Sequence, residues 1–197
     1  MSYSAEEIRE NQVGLAAFKA KKFALVLFMI ASFMIFAALS SGFIVYTAGG
    51  IDKGIKILLP QAFITSTVVI ILSSITAHLA FRATKNRDNK KTKLFLVISF
   101  LLGVVFFFSQ YQAWEALIAQ GAYFINNNAS QSFIYVFTGF HLAHIIGGLI
   151  ALMVAFFRNS SKFSHVQNVN NMELTVMFWH FLDILWIYIY VFLLLNQ

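Results

Sequence analysis

Five nearly uncharged apolar runs dominate this chain, at about residues 23–46, 57–81, 94–119, 133–157 and 174–195. Each reaches the roughly 20 residues needed to cross a bilayer. Lipid offers no partner for an open backbone amide or carbonyl, so each run must close its hydrogen bonds internally as a helix. The fold class that follows is all-α: a polytopic membrane protein built as a bundle of five transmembrane helices. Composition leaves little room for a soluble domain. Charged residues are 11% of the 197, where a soluble domain carries about 25%. Residues 1–22 read as a cytoplasmic N-terminal segment with room for a short interfacial helix. Residues 23–197 read as the transmembrane domain.

Charge placement orients the bundle. Arg9, Lys19, Lys21 and Lys22 precede span one, and Arg82, Lys85, Arg87, Lys90, Lys91 and Lys93 lie between spans two and three. Arg158 and Lys162 lie between spans four and five, so twelve of the 14 basic residues share one side, and only Lys53 and Lys56 fall on the other. The positive-inside rule then places the N-terminus in the cytoplasm and the C-terminus outside. The basic 82–93 connection reads as a topology determinant beside anionic headgroups, and the net charge of +6 is not a sign of nucleic acid. Span one exceeds the roughly 7–15 apolar residues of a signal peptide, so it reads as an uncleaved span. The polar stretch 126–132 reads as a loop, and Asn128-Ala129-Ser130 as a chance glycosylation match. There are no cysteines, which excludes disulfides, thiolate-bound clusters and copper sites that need a thiolate.

Polar side chains inside the spans are the candidate functional residues, because a charge at the centre of a bilayer costs at least about 2.5–3.5 kcal/mol. In span five, Glu173, Val176, His180, Asp183, Ile187 and Tyr190 recur at helical spacing and form one stripe flanked by Trp179 and Trp186. His180 lies roughly 10 Å and Asp183 roughly 15 Å deeper than Glu173 at 1.5 Å per residue. Such a stripe could relay protons or bind a cation, but a buried network that locks helices together is the simpler reading. In span four, Thr138, His141, His144 and Gly148 share a face, and Gly147 and Gly148 suggest close helix approach. Interhelical hydrogen bonding is favoured over metal ligation there, with contact between His144 and Asp183 at similar depth. In span three Gln110 and Trp114 share a face, with Trp114 and Glu115 near the outer interface. In span two Ser74 and His78 share a face near the cytoplasmic end. His165 reads as solvated in a loop.

These pieces resemble subunit III of the haem–copper cytochrome c/quinol oxidase family, in a short five-span form. Glu173, Trp179, His180, Phe181, Asp183 and Trp186 fit the family's glutamate followed by Trp-His-Phe-x-Asp-x-x-Trp. Thr138, Gly139, Phe140, His141 and His144 fit its Thr-Gly-Phe-His-x-x-His. Leu102, Gly103, Phe106, Gln110 and Trp114 resemble its third motif, and Leu59, Pro60, Ser73, Ser74 and Thr76 its Leu-Pro start and Ser-Ser-x-Thr centre. Longer members have seven spans, and the pair missing here is the first two, which in the family form one wall of a lipid cleft. Ser32 stands where the family usually has a membrane-embedded carboxylate.

The resemblance implies an accessory, non-metal-binding subunit of a respiratory terminal oxidase in a bacterial inner membrane. Oxygen reduction to water and proton translocation belong to subunit I, and haems and copper to partner subunits. This chain would stabilise subunit I, support proton uptake and order bound phospholipid, with no catalytic residue of its own. Its partners would be subunit I, the other subunits and membrane lipids, not nucleic acid. Counting agrees: five histidines, with His78 and His165 far in depth from the rest, are too few for a low-spin haem plus a haem–copper pair. The alternative is a small bis-histidine haem-b electron carrier using His141 or His144 with His180. A secondary transporter built on Asp183 is a third reading, without the inverted repeats such folds often show.

Overall fold

The computed structural model describes residues 5–50, 54–55, 57–125, 127–159 and 164–197, with side chains from Gln12 onward. Lys53, Lys56, Lys162 and the side chain of Arg9 therefore lie outside the described residues. The fold is all-helical, in the order α1 (Ala5–Ala48), α2 (Ala62–Lys85), α3 (Asn89–Ala119), α4 (Ala129–Arg158) and α5 (His165–Leu195). All five are long and apolar enough to cross a bilayer.

Local chemistry sets the boundaries, and it corrects four expectations. Residues 5–22 are no separate helix: they are the opening turns of α1, which runs unbroken for 44 residues, about 66 Å at 1.5 Å each. Pro60 keeps the residues before it extended, so α2 starts at Ala62 rather than near residue 57, with the Phe63 amide donating to the Pro60 carbonyl at 3.0 Å. In the stretch 126–132, Asn126 lies outside the described residues and the loop ends at Asn128, whose side chain caps α4 by accepting from the Ser130 amide at 3.0 Å. His165 is the first residue of α5 and not a loop residue. Ser164 caps it in a capping box with Gln167, which satisfies amides that the helix cannot.

A three-residue turn joins α2 to α3, with Arg87 at φ 59° and Asp88 capping α3. So tight a turn forces the two helices antiparallel, and they pack along much of their length. Helix α5 packs on α2 and α4, and α3 closes the ring onto α4. Helix α1 leans on the outer edge of α4 and α5. Lys22 of α1 meets Glu173 at the start of α5, whereas Asn128 before α4 donates to the Gly54 carbonyl and Gln197 after α5 accepts from the Leu59 amide. The chain thus alternates direction span by span, and the α2–α3 and α4–α5 turns share a face with the start of the α1 span.

Candidate functional site

Helix α5 is the hub, and its two tryptophans explain why. Trp179 and Trp186 lie seven residues apart, on the same side after two turns, and both are fully buried. Trp179 Nε1 donates to Ser73 Oγ of α2 at 3.1 Å, and Trp186 Nε1 to Thr67 Oγ1 of the same helix at 3.0 Å. The Trp179 ring fills space left by two glycines. A Cβ on Gly103 of α3 would lie 2.8 Å from its Cη2, and one on Gly148 of α4 would lie 2.9 Å from its Cε3. Gly147 faces open space, so close approach falls on Gly148 alone of that pair. The Trp186 ring packs edge-on against Phe63 and Phe106, with centroids 5.7 and 5.0 Å away.

Hydroxyls complete the interlock. Ser73 Oγ donates to the Ser99 carbonyl at 3.0 Å, and Thr76 meets the Ser99 hydroxyl at 2.7 Å. Gln110 is buried and donates to Ser66 Oγ at 2.9 Å. Trp114 Nε1 donates to Thr138 Oγ1 at 2.9 Å and so ties α3 to α4. Ser40 of α1 bonds the Tyr188 hydroxyl at 2.7 Å. Tyr190 is half-buried against the core. Ser40, Ser66, Thr67, Ser99 and Tyr188 carry no motif that singles them out. Their one signal is a hydroxyl in an apolar helix, where it either bonds its own backbone or crosses to a neighbour.

The stripe residues of α5 and α4 divide into separate groups. Glu173 pairs with Lys22 at 2.6 Å near one end of the bundle. His180 Nδ1 lies 2.6 Å from Ser74 Oγ and 3.9 Å from Asp183 Oδ2. The His78 ring stands 5.9 Å from that of His180. His78 is therefore not remote in depth from His180: the later start of α2 draws it about one turn deeper than a span from residue 57 would. His144 turns away from Asp183 to α1, where Nε2 meets Ser32 Oγ at 3.2 Å, so Ser32 serves as a hydroxyl partner. His141 is enclosed between Phe106 and Trp186, with centroids 5.7 and 5.2 Å away, and neither ring nitrogen has a hydrogen-bond partner. Among the described residues no group of three or more histidine, aspartate and glutamate side chains is placed to hold a metal ion.

Between α1 and α2 an open cleft of about 480 Å³ exposes this face of α5, lined by Met29, His78, Phe81, Glu173, Met177 and His180 among others. Asp183 lies beneath His180. It is 4% exposed, and both carboxyl oxygens lack a hydrogen-bond partner.

The sequence model of the cytochrome c oxidase subunit III family matches residues 5–196. The chain belongs to that family. Cytochrome c oxidase subunit 3 of Corynebacterium diphtheriae is 29% identical over 173 residues, 84% of this chain and 83% of the relative. The corresponding subunit of Bacillus sp. (strain PS3) is 26% identical over 167 residues, 83% of this chain and 80% of the relative. The probable subunit 3 of Mycobacterium tuberculosis is 35% identical over 122 residues, 61% of this chain and 59% of the relative. Membership makes this a multi-pass membrane protein and an accessory subunit of a terminal oxidase complex. The residues that build the α5 hub are those of the span-five motif, and the glycine that admits Trp179 from α3 belongs to the span-three motif.

Proposed function

We propose that this chain packs against subunit I, keeps proton uptake and the oxygen-reducing site of subunit I intact, and orders lipid, without redox chemistry of its own. The observation that carries this reading is the interior of the bundle. Indoles, hydroxyls and glycines interlock around α5, and the buried imidazole His141 sits among aromatic rings. The interior is built to hold a shape. Glu173, His180, Asp183, His141 and His144 serve that shape as local pairs and packed rings. Thr138, Gln110, Trp114, Trp179, Trp186, Ser74 and His78 join helices, and Tyr190 sits at the rim. A second support is His78, exposed at hydrocarbon depth, because such a group is normally sheltered by protein or water.

On this reading the face bearing Lys22, Arg82 and Arg158 is cytoplasmic, and the membrane is a bacterial inner membrane. Residues 1–22 form the N-terminal segment, of which the part from Ala5 makes the first turns of α1, and 23–197 form the transmembrane domain. Haems and copper reside in partner subunits, and phospholipid binds the apolar outer surface of the bundle. The test compares the purified oxidase with and without this chain. Loss of turnover lifetime and slower proton uptake are expected on its removal, with the initial rate of oxygen reduction preserved. Unchanged lifetime and uptake would overturn the proposal, as would a haem Soret band from the isolated chain.

A further inference from the structure

The cleft between α1 and α2 is one-sided. It begins where Glu173 and Lys22 pair and descends past His78 to His180. Trp186, one turn past Asp183 on α5, is buried against Phe63 and Phe106, with ring centroids 5.7 and 5.0 Å away. His141 of α4 lies behind Trp186. Among the described residues the titratable and charged groups on the open side are Lys22 of α1, His78 and Lys85 of α2, and Glu173 and His180 of α5, the Lys85 ammonium lying 4.3 Å from the ring of the cleft-lining Phe81. His180 Nδ1 stands 3.9 Å from Asp183 Oδ2, and Ser74 Oγ meets the same nitrogen at 2.6 Å.

A carboxyl enclosed without a hydrogen-bond partner changes its charge only if a proton can reach it. The His180 side chain is 34% exposed and that of Asp183 only 6%. An imidazole can take a proton on one nitrogen and release one from the other. Nδ1 is the nitrogen that faces Ser74 and Asp183, and the ring as a whole lines the cleft.

We propose that the α1–α2 cleft admits water as far as His180, and that His180 exchanges a proton between this water and Asp183 from the Lys22 face alone. The balance is simple. Hydronium in the cleft gives a proton to Nε2, and the imidazole becomes imidazolium. A swing of the ring from Ser74 toward Oδ2 delivers the Nδ1 proton to the carboxylate. Asp183 is then neutral, and His180 is neutral with its proton on Nε2. The aromatic floor stops the proton from crossing the membrane. Asp183 is a proton store filled and emptied from one side, which fits support of uptake better than a channel of its own. The proposal rests on the accessory role only for the use of that proton.

Infrared difference spectroscopy on the purified complex tests it. A carboxyl C=O band that is lost in Asp183→Asn should respond to pH steps and shift in D2O. Its exchange should slow by about a hundredfold or more in His180→Phe, the scale of a lost proton-transfer group. In proteoliposomes the band should follow a pH step on the Lys22 face. Met29→Trp fills the cleft without touching the carboxyl, and it should slow exchange even if Asp183→Asn fails to assemble. Exchange unchanged in both His180→Phe and Met29→Trp would overturn the proposal, and so would a band that follows only the opposite face. Oxygen turnover of the same samples, with and without the chain, reads the accessory role independently, so either reading can fail alone.

Discussion

Trp179 and Gly103 occupy adjoining space with none to spare: a methyl carbon on Gly103 would stand 2.8 Å from the indole Cη2. Gly148 presses on the same ring from α4, where a Cβ would also meet Leu182 Cδ1 at 2.7 Å. Contacts so short require something to move, and the neighbours here are a fully buried indole and packed leucines. Gly103→Ala and Gly148→Ala should each destabilise the bundle by about 1–3 kcal/mol, the usual range for overpacking. Gly147→Ala is the control, since nothing lies within 4 Å of its Cβ position. Thermal unfolding in detergent checks this, and equal midpoints for the three variants would refute it. Trp179→Phe combined with Gly103→Ala should recover part of the loss.

Lys22 and Glu173 make a short ion pair at 2.6 Å, yet their side chains remain 43% and 33% exposed. Solvent screens a pair in this position, and exposed pairs contribute about 0.2–1 kcal/mol. A double-mutant cycle of Lys22→Met and Glu173→Gln should therefore give a coupling below about 1 kcal/mol that shrinks further as salt rises. A coupling of several kcal/mol, insensitive to salt, would mean that the pair is far better sheltered than its exposure indicates.

His141 makes a sharper case, because nothing satisfies it. The ring is fully buried and flanked by Phe106 and Trp186, and both nitrogens lack hydrogen-bond partners. An unpaired buried polar group costs about 1–3 kcal/mol. His141→Phe should keep the fold and raise stability by up to that amount, less any strain from the larger ring. His141→Lys should fail to assemble, since a charge would then be enclosed by rings. If His141 held a haem, His141→Phe would abolish a Soret band from this chain. On the shape-holding role it leaves the spectrum of the complex unchanged.

Helix count, fold class and the prominence of α5 were legible in the sequence because each rests on a local rule. A run of apolar residues must be helical in lipid, and a buried carboxylate marks a protein-facing side. The ends of the helices were less legible. Ala129–Ser132 is polar enough to suggest a loop, but Asn128 supplies a cap and the helix begins there. His165 looks solvated until Ser164 and Gln167 are seen to close a capping box. Partner choice was least legible. Nothing in the spacing of His144 tells that it reaches Ser32 on α1 and not Asp183 on α5, since depth along a span does not fix rotation about it. Thr67 and Ser66 sit in an unremarkable apolar run, and only the packed bundle shows that Trp186 and Gln110 need them.

The α2–α3 turn offers a test of pH dependence. Asp88 Oδ1 accepts from the Lys91 amide at 3.1 Å, and Oδ2 lies 3.2 Å from Lys91 Nζ. The backbone hydrogen bond from Lys91, aided by its ammonium, holds the Asp88 carboxyl below the usual aspartate range. The folded pKa is thus depressed relative to the unfolded chain. The charged cap stabilises the fold above the ordinary aspartate pKa, and this contribution is lost as pH falls through the lowered value. Asp88→Asn keeps an oxygen to accept from the amide but has no proton to gain. Wild type should therefore exceed Asp88→Asn in stability at neutral pH, and the gap should close in the acid range below the normal aspartate pKa. Denaturation midpoints across that range decide the point. A gap that stays constant with pH would show that the cap acts through its shape alone and not through its charge.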